Sequence, residues 1–246
     1  MLNALKREDR GLRVAVIGAS GGIGLALANR LQTVSNLDKL YILSRKTISS
    51  LSSATQWLPL DLLDEASIEG AAKTIAAEGD LDLIIIASGM LHGDTIEPEK
   101  DWRELDAQAM TTVFAINTIG PALVFKHFAP LLPRKGQSVI AALSARVGSI
   151  SDNRLGGWYS YRASKAALNQ IIKTFSIELG RKRKEAIILG LHPGTVATDL
   201  SQPFQNNSYE RFTPDQCAGY LLDVLSNAQR EQSGTVLDWQ GDPVPA

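Results

Sequence analysis

Tyr161 and Lys165 stand four residues apart in Tyr161-Arg162-Ala163-Ser164-Lys165, a spacing that sets both on one face of a helix. A free phenol ionises at about pH 10 and a free lysine at about 10.4. A neighbouring ammonium favours the phenolate, so the pair points to a tyrosine of lowered pKa acting as general acid or base on a substrate oxygen. Tyr159 has Ala163 four residues on and no lysine, which leaves it as a pocket or packing residue. By itself a Tyr-x-x-x-Lys pair is a common accident of exposed helices. Its meaning depends on what else the chain carries.

Far upstream, the apolar run Val14-Ala15-Val16-Ile17 is followed by Gly18-Ala19-Ser20-Gly21-Gly22-Ile23-Gly24 and then by a helical stretch. Such a loop supplies a tight turn with positive φ, a backbone free of Cβ atoms and a helix N-terminus. A pyrophosphate asks for those three things. The alternative is a plain glycine-rich turn, but strand before and helix after are the context that dinucleotide binding demands.

The second strand ends Ile42-Leu43-Ser44-Arg45-Lys46. An acid about 20 residues beyond the glycine loop would hold the adenosine ribose 2′-hydroxyl, whereas an arginine accommodates a 2′-phosphate. Only Arg45 and Lys46 are there, so NADPH is expected and NAD is disfavoured. A solvated basic turn is the competing explanation.

Gly18-x3-Gly22-x-Gly24 followed by Tyr161-x3-Lys165 resembles the short-chain dehydrogenase/reductase family, in its compact single-domain branch, over nearly the whole chain. The resemblance implies a Rossmann-type fold and hydride transfer between a nicotinamide and a carbonyl or alcohol. It gives Lys165 a second task, binding the ribose beside Tyr161. It makes Ser144, directly after Ser138-Val139-Ile140-Ala141-Ala142-Leu143, the hydroxyl that orients the substrate oxygen. The separation 161 − 144 = 17 is longer than the common family pattern, which implies an enlarged loop and leaves Ser149 as the other candidate. Asn117, in Val113-Phe114-Ala115-Ile116-Asn117-Thr118-Ile119-Gly120, matches the family's helix asparagine, which helps hold a proton-relay water. A satisfied core amide is its alternative.

The resemblance also places cofactor contacts at Gly18, Ser20, Gly21, Gly22, Ile23, Gly24, Asp61, Leu62, Ser88 and Gly89. Asp61 would contact the adenine amino group, or else serve as a helix cap. In His192-Pro193-Gly194-Thr195-Val196-Ala197-Thr198, the residues Pro193, Gly194, Val196 and Thr198 would hold the nicotinamide carboxamide, with His192 structural. One departure is Ile86-Ala87-Ser88-Gly89, where the family commonly has Asn-Asn-Ala-Gly. The Tyr161–Asn169 run and the serine-rich loop before it are similar to a subgroup containing sniffer-type carbonyl reductases and C-factor-like signalling proteins. A dinucleotide-binding regulatory protein with little turnover is therefore the second expectation.

The elements that must position these residues are legible as alternation. Arg13–Gly18, Leu40–Leu43, Trp57–Leu60, Leu83–Ala87, Ser138–Leu143, Ala186–Leu191 and Val236–Leu237 read as strands, mostly apolar on both faces. Ile23–Thr33, Glu65–Ala77, Thr111–Leu132 and Ser164–Leu179 read as helices. Thr213-Pro214-Asp215-Gln216 opens a last helix with an N-cap and a capping glutamine. The alternation predicts a doubly wound α/β fold with a mainly parallel seven-stranded sheet and helices on both faces. Ligands sit beyond the carboxyl ends of such strands.

The 246 residues are expected to form one domain, 1–246, with substrate loops after strands four, five and six. Met90, Leu91, Leu155, Trp158, Phe204 and Phe212 would give the pocket a partly apolar wall. Lys+Arg 25 against Asp+Glu 26 leaves a net charge of −1, which argues against a broad nucleic-acid or membrane surface. The cluster Arg181-Lys182-Arg183-Lys184 reads as a solvated helix end. The basic stretch Met1–Arg13 has no apolar run behind it, so a secretory signal is not expected. Cys217 is the single cysteine; with no disulfide to form, a cytoplasmic setting is the default. His92 and His127 have no companions at metal-ligand spacing. The expected partners are a small carbonyl or alcohol substrate and further copies of the chain, as homodimer or homotetramer.

Overall fold

Seven strands form one sheet in the order β3-β2-β1-β4-β5-β6-β7, every neighbouring pair parallel. They are β1 (Leu12–Ile17), β2 (Leu37–Ser44), β3 (Thr55–Pro59), β4 (Leu83–Ile86), β5 (Ser138–Leu143), β6 (Ala186–His192) and β7 (Thr235–Asp238). The computed structural model describes residues 2, 5, 10–49, 52–93, 95–201 and 211–246. Phe204, expected in the pocket wall, and the rest of residues 202–210 in the loop after β6 lie outside them. The strand order reverses between β1 and β4, the switch point where such sheets bind ligands.

The helices are α1 (Gly22–Leu31), α2 (Glu65–Ala76), α3 (Ala107–Phe114), α4 (Gly120–Phe128), α5 (Tyr159–Lys182) and α6 (Pro214–Ser226). Strand alternation divides the core in two. Val14 and Val16 face α1 and α6, while Ala15 and Ile17 face α2, α4 and α5. Covered on both faces, β4 is Leu-Ile-Ile-Ile, buried throughout. Each such side chain contributes about 1.5–3 kcal/mol. α6 begins with the expected reciprocal cap between Thr213 and Gln216.

The single helix expected over Thr111–Leu132 is instead three pieces. α3 passes through a π-turn, Ala115–Ile119, closed by Gly120 N donating to Ala115 O, before α4 starts at Gly120-Pro121. Pro121 has no N–H to close an α-turn on the Asn117 carbonyl, so the ladder changes step there. The stretch Ala107–Leu131 has mean hydropathy 1.3 and is long and apolar enough to cross a membrane by length and composition. Its Val124, Phe125 and Phe128 are buried against the sheet and the neighbouring helices. α5, conversely, starts five residues before the expected Ser164 and so carries Tyr161 in its first turn.

Candidate active site

The β1–α1 turn is built as the glycines require. Gly18 sits at φ +81°, and its N–H and that of Ala19 both donate to Leu43 O. A Cβ at Gly24 would collide with the Gly18 carbonyl oxygen. The N-cap of α1 is Gly21, which offers no side-chain acceptor, so the first-turn amides around Gly22 and Ile23 remain to be satisfied from outside the helix. These features fit a pyrophosphate.

A cleft of about 540 Å³ opens over this turn. Of the expected cofactor residues, Gly18, Ser20, Gly21, Arg45, Asp61, Leu62, Ser88 and Gly89 line it. Arg45 is exposed and has no ion-pair partner among the described residues. Ser44 beneath it is fixed by donating to Lys46 O at 2.6 Å. Asp61 holds its own turn, Oδ1 accepting from Leu63 N at 3.0 Å, while the cap of α2 is Asp64. Thr198 closes on the loop from the β6 side: a Cβ on Gly22 would lie 2.8 Å from its Cγ2. Gly194 takes φ +74° after Pro193, and Val196 is buried, bridged to Phe212. His92 Nε2 meets Asp199 O at 3.2 Å, joining the loops after β4 and β6.

Gly89 is where the cleft meets α5. A Cβ there would lie 3.6 Å from Lys165 Nζ and 3.7 Å from Asn117 Oδ1. Asn117 is fully buried and its amide is spent on structure: it accepts from Met90 N at 2.7 Å and donates to Met90 O at 2.8 Å and Ser164 Oγ at 3.1 Å. It thus ties the loop after β4 to the helix of the Tyr–Lys pair.

Lys165 is 2% exposed, donates to Leu143 O at 2.8 Å and lies 5.8 Å from the centroid of the Tyr161 ring. Burial pushes the Tyr161 phenol up to about 12 and pulls the Lys165 ammonium down to about 8. This corrects the expectation of a lowered tyrosine pKa. The ammonium bonds a carbonyl rather than the phenol oxygen, and burial strips the phenolate of its hydration.

Ser144 is 3% exposed and continues the ladder, its N donating to Leu191 O at 2.8 Å. Its hydroxyl donates to Asn169 Oδ1 at 2.6 Å. The other candidate, Ser149, donates to Ala246 O and accepts from Asp152 N. Asn169 was missed in the sequence, although it stands four residues after Lys165 on the same helix face. His192 is held near pKa 4 by burial, so its imidazole is neutral and fits a structural place.

The chain as a whole is similar to known proteins. A family model of short chain dehydrogenases matches residues 13–208. The chain is 30% identical over 234 residues, 92% of its length and 99% of the relative's, to 1-hydroxy-2-glutathionyl-2-methyl-3-butene dehydrogenase of Rhodococcus sp. (strain AD45). It is 36% identical over 143 residues to C-signal of Myxococcus xanthus, covering 58% of this chain and 81% of the other. The crystal structure of NADPH-bound carbonyl reductase from chicken fatty liver superposes with a TM-score of 0.84 at 29% identity, over 96% of this chain and 95% of that one. Because one family match runs unbroken from β1 through the glycine loop, the Tyr161–Lys165 helix and the turn after β6, the chain belongs to the short-chain dehydrogenase family.

Proposed function

We propose that this oxidoreductase is an NADPH-dependent carbonyl reductase acting on a small carbonyl or alcohol, through Tyr161 and Lys165 above the glycine-loop cleft. The observation that carries the reading is Gly89, which lines the cleft on one side and lies against Lys165 Nζ on the other. A nicotinamide bound there would supply hydride.

The chain's own residues would do the rest. Tyr161, with its pKa at about 12, is a protonated phenol at neutral pH, the form that donates a proton to the oxygen of a reduced carbonyl. Lys165 then balances the phenolate charge left behind. Asn117 holds the loop after β4 and α5 at fixed separation through Met90 and Ser164, and in this reading it supports proton resupply. Arg45 takes the 2′-phosphate. The first-turn amides of α1 take the pyrophosphate. Pro193, Gly194, Val196 and Thr198 border the carboxamide.

We extend the reading to a single domain in a reducing, cytoplasmic setting, self-associating through the helical stretches Thr111–Leu132 and Tyr161–Leu179. Ile119 and Ile177 are half exposed there.

The test is loss of nicotinamide absorbance on mixing enzyme, NADPH and a panel of aldehydes and ketones. Turnover by the parent and its loss by about a hundredfold or more in Tyr161→Phe supports the reading. The likeness to C-signal favours a second reading, a dinucleotide-binding regulatory protein. Tight NADPH binding with no oxidation across the panel would select it.

A further inference from the structure

Glu99 is a buried acid, 5% exposed, in the loop after β4, with no basic side chain paired to it among the described residues. Its partners are all at the start of α5. Ser160 N donates to the carboxylate at 3.1 Å (Oε2) and 3.3 Å (Oε1), and the Ser160 hydroxyl donates to Oε1. Trp158 N donates to the Glu99 backbone carbonyl at 2.5 Å. One residue therefore receives donors from the N-cap and from the first turn of the helix that carries Tyr161.

The chain bends hard to allow this. Gly156 and Gly157 both lie at φ +65°, and Trp158, a bulky residue, follows at φ +52°, ψ +44°. That left-handed conformation costs about 1–2 kcal/mol outside glycine. Trp158 also caps nothing with its side chain, so α5 relies on a carboxylate from another loop for the negative charge that suits a helix N-terminus. The bend sets the Trp158 ring edge-on to Tyr161, centroids 6.2 Å apart. Arg162 Nε closes the turn by donating to Gly157 O at 3.0 Å.

We propose that Glu99 is a positioning residue for Tyr161: it clamps the first turn of α5 and the strained Trp158, so that the loop after β4 sets where the phenol stands. Resting on the proton-donor reading of Tyr161, the proposal makes that loop a determinant of the proton-transfer step as well as a wall of the pocket.

The test uses full-length Glu99→Ala and Glu99→Gln. Amide hydrogen exchange over residues 158–164 and steady-state turnover are both measured. Exchange is expected to quicken about tenfold or more in Glu99→Ala as the first turn frays. Turnover should fall roughly tenfold to a hundredfold in kcat, with carbonyl KM and NADPH affinity within about twofold, as a misplaced catalytic group predicts. Glu99→Gln keeps an acceptor for Ser160 without the charge and should fall between. It decides the matter if the alanine variant fails to fold. Unchanged exchange in the first turn of α5 overturns the proposal whatever turnover does. Quickened exchange with unchanged kcat overturns it too, leaving Glu99 a structural cap. A parent without turnover on any carbonyl removes the proton-donor reading instead, while quickened exchange would still support the clamp.

Discussion

The Ser144 hydroxyl gives its one proton to Asn169 Oδ1 across 2.6 Å, joining the end of β5 to α5 one turn beyond Lys165. A hydroxyl has a single proton to donate, and here it is spent on Asn169 rather than left for a substrate oxygen. Ser144→Ala is expected to change kcat by less than about threefold and to cost roughly 1 kcal/mol of stability for the lost bond. Turnover and thermal unfolding of the variant check this. A hundredfold loss of kcat with intact cofactor binding would show that the hydroxyl leaves Asn169 to meet the substrate.

Removing the phenol hydroxyl removes the proton donor. Tyr161→Phe should lower kcat about 10²–10⁴-fold with NADPH affinity unchanged. The pH profile of the parent adds a second check. Tyr161, near 12, stays protonated through the working range, whereas Lys165, near 8, loses its charge. Reduction should therefore be flat at low pH and decline as pH rises through about 8, where the phenolate left behind is no longer balanced. A profile flat to pH 10 contradicts the role given to Lys165.

How much of this was visible beforehand follows from where the information sits. β4 and β5 read as strands because a sheet covered on both faces leaves continuous apolar runs, and the glycine loop read as a turn because only glycine tolerates Gly18's φ or the contact at Gly24. The pairing of Tyr161 with Lys165 was local. The π-turn was not read, though Gly120-Pro121 after Asn117 was its signal. Ser144 with Asn169 and Glu99 with Ser160 join residues 25 and 61 apart in the chain, and no spacing rule connects them. The tyrosine pKa was misjudged because adjacency on a helix gives direction but not depth of burial.

Lys165 should cost the protein stability. Its folded pKa is depressed from 10.5 to about 8 by burial. Below pH 8 folded and unfolded chains both carry the proton, and the folded one bears the desolvation. Between 8 and 10.5 the unfolded chain binds more protons, so this group's contribution to stability rises with pH. Lys165→Met is expected to raise the melting temperature at neutral pH, by roughly 2–4 °C for each kcal/mol recovered, while abolishing turnover. A lowered melting temperature would mean that the bond to Leu143 O outweighs the burial of charge.

Arg45 separates the two nicotinamide cofactors. It is exposed at the cleft rim and engaged by no acid among the described residues, so its guanidinium can meet a 2′-phosphate without first breaking an ion pair. A charge-assisted contact of that kind contributes about 1.5–3 kcal/mol. Arg45→Ala should then weaken NADPH binding roughly tenfold to a hundredfold and leave NADH binding within about twofold, both read by fluorescence titration. Equal losses for the two cofactors would place the arginine on the shared part of the molecule and remove the case for NADPH. Loss confined to NADPH, with the salt sensitivity of its binding reduced at the same time, is the outcome that an arginine engaged by no acid at the end of β2 predicts.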